Sequence, residues 1–489
     1  MMNSHPRSLL LFLVLGLAGC PVSDDDDSAV TDDDDTVGDD DDSTGPIPVP
    51  DTYDFPSRQG ADVSSVSYGG QVFRHVLMAD MKRRVDGMTT RLDGGWFPTE
   101  GEVVGELSFY LAFDDGSSAD VDHGVETSPD PAQATYGDIS SGKDLLGKLA
   151  GNDPVGQHVD WATGFVGWGA PGAYTPETLV RAWFEQLEDQ AIDWSNGTYP
   201  LGPDGLPVSS VAVTAEGRDL GQLLQKFLLG AVAFSQGADD YLDDDTEGKG
   251  LLSDHTTLED GAPYTALEHA WDEGFGYFGA ERAYADRDDA AIAETPWDDA
   301  DGDGAVDLLS EYTFGHAQNA VKRDDCGDCT APTDFSGRAF DAFLAGRTLL
   351  TNADGPLSAG ELETLRTLRD QALTAWERAI AATAVHYVND TLGDYADWDA
   401  EPSFEDLAKH WSELKGFALS FQFNPHSPLS DADFATLHGY LGDAPVSPEA
   451  GSATVDAYLA DLRAARALLG TAYGLPSENL GAEDGSGGW

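Results

Sequence analysis

The segment Lys409-His410-Trp411-Ser412-Glu413-Leu414-Lys415 sets an imidazole and a carboxylate three residues apart. On a helix such residues are surface neighbours. An imidazole beside a carboxylate suits iron, zinc or copper, whereas magnesium and calcium prefer all-oxygen shells. A second segment, Glu268-His269-Ala270-Trp271-Asp272-Glu273, places His269 and Glu273 four apart, and Glu268 and Asp272 likewise. If the two helices face one another, His410, Glu413, His269 and Glu273 enclose one ion. The alternatives are a hydrogen-bonded His410–Glu413 pair in the core and a solvated acidic face around His269.

A third segment has a different chemistry. Asp299-Ala300-Asp301-Gly302-Asp303-Gly304-Ala305-Val306-Asp307 carries aspartates at positions one, three and five, glycine at six and an aliphatic residue at eight. That is the opening of an EF-hand-type loop, in which hard oxygens ring a calcium ion and the glycine permits the sharp turn. Position twelve is Ser310 and Glu311 follows one step late, so the bidentate ligand is displaced or supplied elsewhere. The competing reading is an acidic surface loop; a calcium ion here stiffens the loop rather than signals.

Three cysteines are present. Cys326 and Cys329 form an even pair closing a very short loop, which in an exported chain points to a structural disulfide. A redox or zinc role lacks, respectively, a thioredoxin-like βαβ context and further ligands. Cys20 follows Leu17-Ala18-Gly19, and Leu9 to Leu17 is apolar apart from Gly16. That run is too short for a permanent membrane span and fits a signal h-region. Residues 1–19 are therefore expected to be cleaved, with Cys20 lipidated. Two or three acyl chains then anchor the protein firmly to a membrane.

Between Cys20 and about residue 52, three blocks of four aspartates alternate with Ser, Thr, Val and Gly. Such a spacer cannot bury apolar surface and repels itself into extension. Most of the net charge of −63 nonetheless lies in the remainder of the chain, where Lys and Arg are scarce. This field repels nucleic acid, which requires clustered cations. It attracts metal ions and suits a saline or divalent-rich surface.

The elements that must position these residues are helices. Ser358 to Asp390 carries Leu362, Leu365, Leu368, Leu373, Trp376 and Ile380 at three-to-five-residue spacing, the signature of one apolar helix face. Further helices are predicted over Gly70–Val85, Pro176–Ile192, Leu220–Leu242, Tyr264–Ala280, Phe335–Leu350, Phe404–Phe423, Asp431–Leu441 and Ala453–Leu469. Thr175 before Pro176 fits an N-cap, and Ser403 with Asp406 a capping box. Strand-like alternation is confined to runs such as Ser209–Thr214, and Gly164–Gly172 reads as a loop. The fold class is all-α, with residues 53–475 as a helical domain of two bundles sharing a core and 476–489 as a flexible tail. Arg74, Lys226 and Lys415 stand out as rare cations on predicted helices, suited to pairing buried carboxylates.

His410-x-x-Glu413 on a late helix resembles the Gly-x-His-x-x-Glu motif of imelysin-like proteins, although Ala408 stands at the motif's glycine. The chain is more closely similar to the bacterial lipoprotein family known as domain of unknown function 4856. That similarity rests on Gly70-Gln71 with Arg74, Lys226 with Gly230-Ala231 and Tyr241-Leu242, and Trp271-Asp272-Glu273 with Phe275 to Gly279. It continues through Trp411 to Leu419 with Gln422 and Asn424-Pro425. The resemblance implies an imelysin-like pair of helical bundles and an association with iron uptake, with an outer-membrane transport partner. Imelysins were first described as peptidases, but the segment lacks the second histidine of a His-Glu-x-x-His zinc helix. No Ser-His-Asp arrangement, phosphate-binding glycine loop or nucleotide fingerprint is legible.

The expectation is thus a lipid-anchored, non-catalytic metal-binding protein of the cell envelope. Pro21 after the lipid cysteine favours the outer membrane. A metal-dependent peptidase and an acidic scaffold or adhesion protein are the alternatives.

Overall fold

The apolar spacing beyond Ser358 produces one helix of 39 residues, Ala359–Asp397, about 58 Å long at 1.5 Å per residue. Ser358 starts it with a reciprocal cap: its hydroxyl accepts from the Glu361 amide while the Glu361 carboxylate accepts from the Ser358 amide. In the computed structural model, which describes residues 47–153, 156–353, 355–400 and 402–489, this helix is the spine against which others pack. Cys20, the apolar leader and the aspartate blocks lie outside the described residues.

A small antiparallel hairpin, β1 (Pro56–Ser57) and β2 (Gly60–Ser64), precedes eleven helices of nine or more residues among the described residues. These are α1 (Gly69–Asp86), α2 (Glu102–Leu111), α3 (Pro176–Ser195), α4 (Leu220–Leu228), α5 (Ala266–Phe278) and α6 (Gly315–Asp324). They continue with α7 (Phe335–Asn352), α8 (Ala359–Asp397), α9 (Phe404–Ser420), α10 (Asp431–Leu441) and α11 (Ser452–Ala472). The fold is all-α.

Helix contacts run in a closed circuit: α8 packs on α7, α7 on α5, α5 on α1, α1 on α4, α4 on α9, and α9 back on α8. α6 packs against α5, α7 and α8, while α2 and α3 pair beside α1 and α10 and α11 pair beside α8 and α9. The described residues belong to one compact unit with one continuous apolar core, in which Trp161, Trp183, Trp271, Trp376 and Trp411 are fully buried. Two contacts of the circuit depend on glycine. A Cβ on Gly346 would stand 2.0 Å from Trp271 Cζ2, and one on Gly416 would stand 2.5 Å from Lys226 Cβ. No real contact is that short, so the α7–α5 and α9–α4 crossings exclude any larger residue.

The structure differs from the sequence expectation in four places. The Leu220–Leu242 helix is α-helical only to Leu228, then widens into π turns over Leu229–Phe234 and Gly237–Tyr241. Each wide turn absorbs a residue and re-phases the face, and Ser235, Gln236, Asp239 and Asp240 are buried there. Ser209–Thr214 is not a strand but a loop with one isolated bridge, Val213 to Asp219. α2 and α6 were not legible as helices. Residues 476–489, expected as a flexible tail, are docked: Trp489 is buried, and its indole N–H donates to the Arg323 carbonyl (2.9 Å). Asn389 Nδ2 donates to the Trp489 carbonyl (2.8 Å), and Thr330 and Ala331 amides donate to Asn479.

Thr175 caps α3 as expected, in a reciprocal box with Thr178, whereas Ser403 caps α9 by accepting from the Asp406 amide. No described helix is long and apolar enough to cross a membrane.

Candidate metal centre

α8 and α9 lie side by side. Four-residue spacing on α8 brings His386, Asp390 and Asp394 onto one face, and His410 of α9 meets them. His410 Nδ1 is 2.9 Å from Asp394 Oδ2, and its Nε2 is 3.9 Å from Asp390 Oδ2. The same Asp390 oxygen is 3.3 Å from His386 Nε2. Two imidazoles therefore each approach one carboxylate oxygen, although no three donor atoms of this cluster all lie within 4.8 Å of one another, while a second carboxylate holds the far nitrogen of His410. That last contact is the arrangement by which outer carboxylates orient metal-bound histidines.

Glu413 takes other partners. Its Oε1 accepts from the Tyr387 hydroxyl (3.0 Å) and lies 3.4 Å from Lys226 Nζ, while Oε2 is buried without a hydrogen-bond partner. Arg323 of α6 is also buried, and its Nε lacks a hydrogen-bond partner. An unpaired buried polar atom carries its desolvation cost uncompensated, and two such atoms close to this cluster mark it as incompletely satisfied.

Burial opposes charge throughout the cluster. It lowers the His386 pKa to about 3, helped by the charges of Arg323 and His410. Burial acts against the His410 imidazolium too, but its bond to Asp394 and the charges of Asp394 and Asp390 outweigh it, so that pKa is raised. Asp390 and Asp394 are both raised, burial being the largest cause. Burial also lowers Lys226, against the attraction of Glu413. Burial thus disfavours the charged form of His386, while the neighbouring carboxylates favour that of His410.

His269 and Glu273 do not join His410 and Glu413. Their rings and carboxylates are 3.8 Å apart, but His269 Nδ1 bonds to the Ser67 carbonyl (3.1 Å) and its ring stacks on Tyr264. Glu273 Oε1 accepts from Gln71 Nε2 (2.8 Å), and both residues line a separate cavity of about 350 Å³ with Lys143 and Arg282. The other two acids of the segment turn inward: Asp272 and Glu268 pair with Arg347. The four-residue site expected from the sequence is therefore not assembled.

The acidic loop does gather. Asp299, Asp301 and Asp303 each offer an oxygen within 4.8 Å of the others. The Gly304 amide donates to Asp299 Oδ2 (3.1 Å), closing the turn. Asp307 is diverted: its oxygens accept from Gln133 Nε2 (2.8 Å) and the Ser310 hydroxyl (2.7 Å). Glu311 folds back instead, accepting from the amides of Ala300 (2.9 Å) and Asp307 (2.7 Å).

Cys326 and Cys329 are joined by a disulfide, and Cys326 Sγ lies 3.2 Å from the Gly488 carbonyl. Of the rare cations, Arg74 bonds to the Asp144 and Gly70 carbonyls, and Lys226 pairs with Glu413. Lys415 is fully buried against His438 Nδ1 (3.0 Å) and the Gly442 carbonyl (2.6 Å); burial lowers its pKa to about 8.

His386, Asp390 and Asp394 were missed from the sequence, although their spacing of four on a recognised helix was the available signal. Arg323 was missed because α6 itself was. A family model described as Domain of unknown function (DUF4856) matches residues 180–436, more than half of the chain, and spans the whole α8–α9 cluster. No curated protein and no solved structure matches.

Proposed function

The chain belongs to the family described as Domain of unknown function (DUF4856), and from that premise we propose that it is an exported, lipid-anchored protein that binds a transition-metal ion without catalysis. His386, Asp390 and His410 are the ligands and Asp394 orients His410. The observation that carries this reading is the approach of two imidazole Nε2 atoms, at 3.3 and 3.9 Å, to one Asp390 oxygen. Nitrogen and carboxylate donors together favour iron, zinc or copper over calcium. The resemblance to imelysin-like proteins makes iron the first ion to try and an outer-membrane transport partner the natural recipient. Lipidation at Cys20 places the domain in the cell envelope, on a spacer of aspartates.

The test is metal titration of the mature protein in moderate salt, comparing wild type with His410→Ala plus Asp390→Ala. Loss of one high-affinity equivalent is expected, together with weaker wild-type binding at lower pH, because a protonated imidazole cannot ligate. Unchanged stoichiometry and affinity for every transition metal would refute the site. Anchoring is tested separately by fractionation: Cys20→Ser should leave the membrane pellet. The gathering of Asp299, Asp301 and Asp303 supports a calcium ion at that loop as a second, structural cation.

A further inference from the structure

From within the second π turn the chain runs on as Asp239-Asp240-Tyr241-Leu242-Asp243-Asp244-Asp245, and packing gives these carboxylates different partners. Asp240 takes Lys249 at 2.6 Å. Asp239 accepts the His158 amide (3.0 Å) and lies 2.8 Å from that residue's ring nitrogen. Asp243 Oδ1 is 3.6 Å from His426 Nε2, and one donor atom each from Asp243, Asp244 and His426 falls within 4.8 Å of the other two.

This trio is built rather than incidental. His426 sits on the turn Asn424–Ser427, with its amide donating to Asn424 Oδ1 (2.9 Å). Glu377, fully buried on α8, grips both ends of that turn by accepting from Asn424 Nδ2 (2.5 Å) and the Ser427 hydroxyl (2.6 Å). Arg366 and Arg369 of α8 hold Asp244 at 2.7 and 3.2 Å. They fix its oxygens as outer partners fix ligating carboxylates. Asp243 is buried, and its carboxylate meets the Asp244 amide and Asp245 as well as His426. Asn424, Pro425 and Ser427 of the same turn also wall a cavity of about 1140 Å³, which the three donor residues themselves do not line.

We propose that Asp243, Asp244 and His426 form a second site, for a divalent transition ion, independent of His410. Two carboxylates and one imidazole leave open positions on an ion that favours five or six ligands, which water or a small-molecule carboxylate fills. The donor set suits Mn²⁺, Fe²⁺, Co²⁺ or Zn²⁺.

Co²⁺ is the probe, added to the mature full-length protein in moderate salt with calcium present to occupy the acidic loop and surface. The His410→Ala plus Asp390→Ala variant should keep one Co²⁺ equivalent and its visible absorption band. His426→Gln, a substitution at an exposed side chain, should remove that equivalent or weaken it by at least about tenfold. Asp243→Asn should do the same while retaining the native circular dichroism spectrum. If His426→Gln folds natively and binds Co²⁺ with wild-type count and affinity, the His426 site does not exist, whatever becomes of the α8–α9 centre. If instead the α8–α9 variant binds as wild type and His426→Gln does not, the His426 site stands and the reading of the preceding section falls.

Discussion

Two regions of this protein bury charge, and they do it differently. Around Arg347, fully buried on α7, every arm of the guanidinium has a partner. Nε meets Asp272 at 2.9 Å, Nη1 meets Thr351 at 2.7 Å and Glu268 at 3.4 Å, and Nη2 meets Ser65 at 2.5 Å. Asp272 is completed by the Tyr53 hydroxyl (2.9 Å) and the Ser67 amide (3.2 Å). Around α8 and α9, by contrast, Glu413 Oε2 and Arg323 Nε are buried without hydrogen-bond partners, and His386 and His410 share one Asp390 oxygen. A saturated network ties the segment after β2 to α5 and α7 and leaves no donor over for chemistry. An unsaturated one leaves buried polar atoms without partners, at a cost in stability.

The largest effect should come from breaking the saturated network. Arg347→Met leaves Asp272 and Glu268 buried without their cation, at a cost of about 3–5 kcal/mol, readable by chemical denaturation. A loss under 1 kcal/mol would show that the network is not holding the fold.

Glu377 is an intermediate case, with three hydrogen-bond donors and no cation: Asn424, Ser427 and Tyr473. Burial raises its pKa from 4.5 to about 7, so the folded state holds its proton more tightly than the unfolded chain does. The cost is absent below the unfolded value, grows as pH rises through the folded one, and is constant above it. Glu377→Gln should therefore gain about 2–3 kcal/mol relative to wild type between pH 5 and pH 8. Parallel pH profiles would mean that the carboxylate ionises in the fold without penalty.

Next in size is the loop of Asp299, Asp301 and Asp303, the proposed calcium site. With calcium at a hundred times its dissociation constant, wild type should gain about 2.7 kcal/mol that Asp301→Ala plus Asp303→Ala lacks. Equal melting shifts in the two proteins would reduce the loop to an acidic surface. The smallest effect belongs to the unsaturated network. Glu413→Gln should change stability by no more than about 1 kcal/mol, since the amide oxygen still accepts from Tyr387 and only the long 3.4 Å pairing with Lys226 is given up. A loss as large as that of Arg347→Met would erase the contrast between the two regions.

Helix positions were legible wherever an apolar stripe recurred at helical spacing, as in α8 and α9, because burial of that stripe is what selects the helix. α6 was not, since Gly315-His316-Ala317-Gln318-Asn319 shows few large apolar residues, yet Ala317, Ala320 and Val321 are fully buried. In a crowded interior small residues suffice, and hydropathy does not register them. The π turns were invisible for another reason: they arise from close tertiary packing, with Gly230 directly against Ser420. His410 was legible as a candidate ligand, but its partners were not. Whether it turns to Glu413 or to Asp394 depends on which face of α9 meets α8, and that is set by the crossing rather than by spacing along one helix.

The docked C-terminus bears on how the chain stays closed. Trp489 sits beneath Arg323, Asn389 and the disulfide loop, and the opposite end is tied in as well, with the Ile47 amide bound to Asn352 (2.7 Å). Asn389 and the loop of Cys326 and Cys329 both depend on the one C-terminal closing segment, so loosening it at Trp489 would open two distant stretches of the chain at once.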